Sequence, residues 1–278
     1  MEKKQVEVIS IDPPNVTVKL NGQQYIAPVE AYLETWQPLS ESYSKDHKGI
    51  LCHNSRVFSR HYKEIDLETF EVISEHEAPL TAYFRDAHKV YIDSSMCRFT
   101  AIPGADPATF EVTDISKGFS RDKDREYYYD QPLPYKLKDA RLLNEQYAVA
   151  DGRVYAAYTR LMDADADSFH IPYPELIPNV AMDKNHVFFR DQIVTDADVR
   201  TFTFLPACVD ADRAYYDNWY IDFYAKDSTN AWFIRTIDKE MKKIRVKDTT
   251  AFVFKVENEK GYGYDGVNWY RQGKKMKK

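Results

Sequence analysis

Apolar and polar positions alternate along this chain in short bursts, each closed within a few residues by Gly, Pro, Asn or Asp. That is the period-two pattern of half-buried strands. Val16 to Leu20 and Gln23 to Ala27 flank Asn21-Gly22. An Asn-Gly pair between alternating segments predicts a type I′ hairpin, because both central residues accept positive φ. Pro28 then opens Val29 to Trp36, where Val29, Tyr32, Leu33 and Trp36 fall at helical spacing before Pro38. This spacing predicts a short helix, so residues 1–38 read as a hairpin followed by a short helix.

From Tyr43 onward a two-part pattern recurs. One part is an Asp turn feeding a short aromatic strand, as in Asp183-Lys184-Asn185-His186-Val187-Phe188-Phe189; the other is an Asp turn closing on Thr-Phe, as in Asp198-Val199-Arg200-Thr201-Phe202. Further copies of the first part are Tyr83-Phe84-Arg85-Asp86 before Val90-Tyr91-Ile92, Asp122 before Tyr127-Tyr128-Tyr129, Asp227 before Ala231-Trp232-Phe233, and Asp265 before Asn268-Trp269-Tyr270. The second recurs as Asp66 to Phe70, Asp106 to Phe110, Asp165 to Phe169 and Asp248 to Phe252, and is degenerate at Lys138-Asp139-Ala140-Arg141-Leu142-Leu143. In Ala105-Asp106-Pro107-Ala108-Thr109-Phe110 the carboxylate can accept from a backbone N–H two or three residues on, which aims Phe110 at a core.

Such a unit is a hairpin or meander that cannot bury its own apolar face and is marginal alone, so neighbours must cover it. The spacing, roughly 30 to 40 residues, is that of stacked supersecondary units. The expected fold is all-β, a repeat array of aromatic β-hairpin or meander units with short turns after the N-terminal hairpin and short helix. Pro172, Pro174 and Pro178 interrupt the pattern and suggest a first repeat set over 39–172 and a second over 173–278, or one continuous array.

The 21 Tyr, 15 Phe and 4 Trp among 278 residues exclude a disordered chain. In an ordinary one-sided strand, one member of each aromatic doublet would face the core and the other solvent. A formal net charge of −6 makes nucleic acid a poor partner, since a phosphate backbone needs a clustered basic surface. The basic tail, Lys274-Lys275 and Lys277-Lys278, reads as solvated. The first residues lack an apolar run of signal-peptide or membrane-span length, which gives the expectation of a cytoplasmic protein without membrane contact.

Cys52, Cys97 and Cys208 spell no disulfide framework. Asp163, Asp165 and Asp167 are spaced like the start of a calcium loop, but Ser168 and Pro174 stand where it needs Gly and Glu. His47, His53, His61, His76, His88, His170 and His186 follow no zinc spacing, and a thiol–imidazole pair around Cys52 is the one nucleophilic arrangement conceivable. Neither a phosphate loop nor a nucleophile elbow is found. No catalytic residue, metal or cofactor is expected.

The repeated Asp-Lys-Asn and aromatic-doublet element, with Phe188 and Phe189 in both tyrosine places, resembles the DKNYY family of bacterial proteins over most of residues 43–270. The resemblance implies no activity or catalytic residues. It implies two settings, exported or surface-attached modules and immunity proteins encoded beside secreted antibacterial toxins. With no signal sequence legible, the expectation is a non-catalytic immunity protein that binds a cognate toxin, the alternative being a surface or structural module that binds glycan or protein. An acidic body would speed its meeting with a basic toxin. Acid and aromatics concentrate between Asp210 and Phe223, so the expected contact surface is Asp210, Asp212, Tyr215, Tyr216, Asp217, Trp219 and Tyr220.

Overall fold

The computed structural model describes residues 6–53, 55–57, 62–77, 80–95, 98–208, 222–257 and 260–276. Their strands form eight small antiparallel sheets, each of strands consecutive in sequence. The first sheet joins Val6–Asp12, Asn15–Leu20 and Gln23–Pro28, with Val18 between Val8 and Tyr25. Asn21 and Gly22 turn it at φ 54° and 85°, the predicted type I′ geometry.

Seven meanders follow, over 37–56, 71–101, 111–132, 140–161, 180–193, 203–244 and 253–275. In the fifth, an isolated His170–Met182 bridge stands in for the missing first strand. A connector precedes each meander, and in the second, third, fifth, sixth and seventh its Asp turn presents a Phe.

In six of the seven meanders one buried aspartate ties the connector to its own meander. In the second, Asp86 Oδ1 accepts the backbone N–H groups of His88 and Lys89 at 2.7 Å each, and Oδ2 accepts the Asp66 N–H at 3.0 Å. The Tyr91 hydroxyl donates to the same Oδ2 at 2.7 Å. The connector answers: Asp66 holds the Thr69 hydroxyl, whose oxygen accepts the Ala87 N–H. Asp122 with Asp106 and Thr109, Asp183 with Asp165 and Ser168, and Asp227 with Asp198 and Thr201 repeat this exchange. Asp265 takes the Lys247 N–H and the Tyr270 hydroxyl. A carboxylate collecting several backbone donors saves each from an unpaired burial, which is why the motif needs Asp, a short loop and Thr or Ser at fixed offsets.

Two expectations change. Residues 29–36 are successive i→i+3 turns, Ala31 to Pro28, Thr35 to Tyr32 and Trp36 to Leu33, and no helix forms. The Tyr32 N–H is taken by Asp46 Oδ2 at 3.0 Å and Thr35 accepts the His47 N–H. This stretch is therefore the first connector, with Trp36 in the Phe place. The Asp-to-Phe turn also belongs with the meander after it, because its hydrogen bonds run to the following buried Asp. The fourth meander departs from the rest: Asp151-Gly152 makes a two-residue turn at φ 49° and 66°, and Asn144 takes the Gln146 and Tyr147 N–H groups.

By contacts the chain divides into residues 1–133 and 134–278, with the Pro172–Pro178 segment inside the second. Within each unit the sheet period sorts side chains by their distance from the buried Asp. Positions two before and five after it face backward, onto the meander's own connector: Phe84 and Tyr91 pack on Phe70, and Tyr127 packs on Phe110. Positions three before, four after and six after face forward. Tyr83, Val90 and Ile92 meet Phe110 and Tyr127 of the next repeat, and Tyr224, Ala231 and Phe233 share a core with Phe252 and Tyr270. Both faces are covered, so both members of Tyr83-Phe84 and Phe188-Phe189 are buried. The one-in, one-out reading fails for these doublets.

Candidate binding face

Several joints between stacked meanders reuse the same parts; the fifth meander, with Val180 three before its buried Asp and Met182 just before it, departs from them. An aromatic three residues before the buried Asp receives the next connector's Phe: Tyr83 to Phe110 at 5.9 Å, Tyr147 of the variant fourth meander to Phe169 at 5.4 Å, Tyr224 to Phe252 at 5.9 Å. Their hydroxyls reach on into the following repeat, donating to the carbonyls of Gly118, of Asn179 and Arg190, and of Tyr270. A cation just before the buried Asp caps the incoming turn. Lys45 Nζ donates to the Leu67 and Phe70 carbonyls, Arg85 to that of Pro107, and Lys226 to those of Thr249, Thr250 and Phe252. The joint is thus an aromatic slot beside a cation.

In the seventh meander the forward positions are Tyr262, Trp269 and Arg271, with Tyr264 on the same side of its strand as Tyr262, and among the described residues no further repeat covers these rings. Val253–Glu257, Lys260–Tyr264 and Trp269–Arg271 set them side by side, with Tyr264 paired to Trp269 and Lys255 to Tyr262. Trp269 meets the Tyr264 ring at 4.7 Å and the Tyr262 ring edge-on at 5.9 Å. All three rings are half-buried. On the backward side Gly261 and Gly263 leave room for Phe254 and Phe252, so the sheet's apolar weight is already committed there.

In front of Tyr262 and Trp269 lies an open cleft of about 950 Å³, completed by Glu257, Val267, Asn268, Lys275 and Met276. Lys255 Nζ sits 4.3 Å from the Tyr264 ring centre and 5.6 Å from that of Trp269, a cation–π position. Exposed Lys260, Arg271 and Lys274 join Lys255 and Lys275 on this meander, against Glu257. The face is aromatic at its centre and cationic at its rim.

The buried carboxyls have a different task. Burial alone would push Asp86 and Asp265 up, but the Tyr91 and Tyr270 hydroxyls and the backbone N–H groups outweigh it and hold both below the usual carboxylate range. Burial, with the hydrogen bond and charge of Asp265, lifts Tyr270 to about 12. Asp165 of the calcium-like triad is held down to about 2, chiefly by Lys184, and its backbone N–H feeds Asp183. Among the described residues no group of three or more His, Cys, Asp or Glu could hold a metal ion.

Burial raises the Cys52 thiol, which lies with Tyr43 and Asp93, while His47 bonds Thr35. Cys97, His61, Lys277 and Lys278 lie outside the described residues. So do all seven expected contact residues, Asp210, Asp212, Tyr215, Tyr216, Asp217, Trp219 and Tyr220. The seventh meander's face was missed by sequence reasoning. Its signal, an aromatic three before an Asp, was present at Tyr262, but the direction it points emerges only once strand register is known.

No described helix is long and apolar enough to cross a membrane. Neither a curated protein nor a solved structure matches the chain. The sequence model of the DKNYY family matches residues 4–131 and again 147–278, two stretches that between them hold the buried Asp46, Asp86, Asp122, Asp183, Asp227 and Asp265. On that match over nearly the whole length, the chain belongs to the DKNYY family.

Proposed function

We propose that the protein is a non-catalytic binding protein, an immunity protein that neutralises a cognate bacterial toxin in the cytoplasm by direct contact, and that the forward face of the seventh meander makes that contact. The observation that carries this reading is the cleft at Tyr262 and Trp269, with Tyr264 beside it, which no described residue fills. Half-buried aromatics in a cleft with a charged rim are the composition of an interface hot spot. The conspicuous carboxylates support a binding role too, being engaged in holding backbone N–H groups.

The test is capture by the tagged chain in its bacterial host, washed at about 1 M salt, where the screening length falls to roughly 3 Å. A single stoichiometric partner that arrests growth when expressed alone is the expected result. Its affinity should fall with Trp269→Ala and hold with Trp219→Ala; the reverse would move the contact to the 210–220 stretch. An empty capture would sink the inhibitor reading. A second reading, a glycan-binding surface module, is favoured by one observation, the Tyr262 and Trp269 rings beside Glu257 and Asn268, which suit a sugar ring. Silence across a broad sugar panel would end it.

A further inference from the structure

We infer that the cleft of the seventh meander takes an aromatic side chain carried on an acidic turn of the protein partner, as the joints at Tyr83 and Tyr224 take the Phe of the next connector. This rests on the protein-binding reading above and specifies its ligand.

The internal joints define what such a slot accepts. Tyr83 and Tyr224 occupy the position of Tyr262, three before the buried Asp, and each packs on one Phe that closes an Asp-led turn. The turn's carbonyls point back and are capped by Arg85 or Lys226. In the seventh meander Tyr264 replaces that cation in sequence, yet an ammonium is still supplied there, by Lys255 from the neighbouring strand, held over the Tyr264 ring. Slot and cap are both in place. Two departures shape the specificity. Trp269 stands four after the Asp where Val90 and Ala231 stand in the second and sixth meanders, which widens the aromatic wall. The rim carries Lys255, Lys260, Arg271, Lys274 and Lys275 against Glu257, so acidic residues flanking the incoming aromatic would be drawn to it and basic ones repelled.

The probe is a synthetic peptide of the chain's own sequence at residues 102–110, ending in Asp106-Pro107-Ala108-Thr109-Phe110, together with its Phe→Ala version. Titrated into the isotope-labelled full chain, the Phe peptide should shift the Trp269 indole N–H and the Tyr262 to Tyr264 amides. Replacing its Phe by Ala should weaken binding at least roughly tenfold, the loss expected for an aromatic anchor. Lys255→Glu, a surface change that spares the fold, should weaken the Phe peptide as well. Equal response to both peptides, or no response from the Trp269 indole, would overturn the inference. A toxin captured by the chain but not displaced by the Phe peptide would also refute it while leaving the inhibitor reading intact. A peptide that binds when no protein is captured would uphold the slot and remove the inhibitor.

Discussion

Asp86 shows how much one residue does in this chain. Its two oxygens accept the His88, Lys89 and Asp66 backbone N–H groups and the Tyr91 hydroxyl, and its residue is 2% exposed. Asp86→Ala removes the acceptor for all four donors, and a loss of roughly 2–4 kcal/mol is expected, read from urea unfolding of the 1–133 unit. Asp86→Asn keeps an acceptor and should cost less. The same groups set the pH range. Asp46, Asp86, Asp122, Asp227 and Asp265 all have carboxyls held low against the pull of their own burial. A depressed folded value means stability that is present above about pH 4 and lost as pH falls through the folded values. Tyr270 works at the other end: raised to about 12, it contributes stability that is intact below about pH 10 and lost as pH rises through its folded value. Thermal midpoints should be flat between these limits and fall on both sides; an unchanged midpoint at pH 3 would contradict the role given to the carboxylates.

At the scale of the element, the unit is a connector plus the meander after it. Gly263 marks a place where that packing is tight, since a Cβ there would lie 2.8 Å from the Phe252 ring and 3.1 Å from Tyr224. Gly263→Ala should cost about 1–3 kcal/mol by overpacking, measured as a lower unfolding midpoint of the 134–278 unit. Much of this element is legible in the chain itself. Asn21-Gly22 announces its hairpin, and the Asp, Thr and Phe offsets announce the turn with Phe110 driven into the core. What is not legible depends on partners far apart in sequence. Nothing local tells that the Asp106 N–H belongs to Asp122, or that Tyr32 donates to Asp46 and so draws residues 29–36 into turns. Val29, Tyr32, Leu33 and Trp36 fit a helical face as well as they fit two tight turns. The doublets mislead for a related reason, because alternation says which side chains share a face and stacking decides whether both faces are covered.

For the whole molecule, repetition is what supports the proposal that the Tyr262, Tyr264 and Trp269 face binds a partner. A joint that closes repeatedly within the chain has been shaped to take an aromatic turn, and at Tyr262, Tyr264 and Trp269 the described chain supplies none. The contact stretch chosen from composition, 210–220, rested on acid and aromatics lying together; the open face is recognised from position within the repeat. The two choices separate in one measurement, the amide hydrogen-exchange footprint of the captured partner on the intact chain. Slowed exchange across Val253–Glu257, Lys260–Tyr264 and Trp269–Arg271, with the first meander unchanged, is the expected result. Protection confined to 210–220, with the seventh meander exchanging as in the free chain, would contradict it.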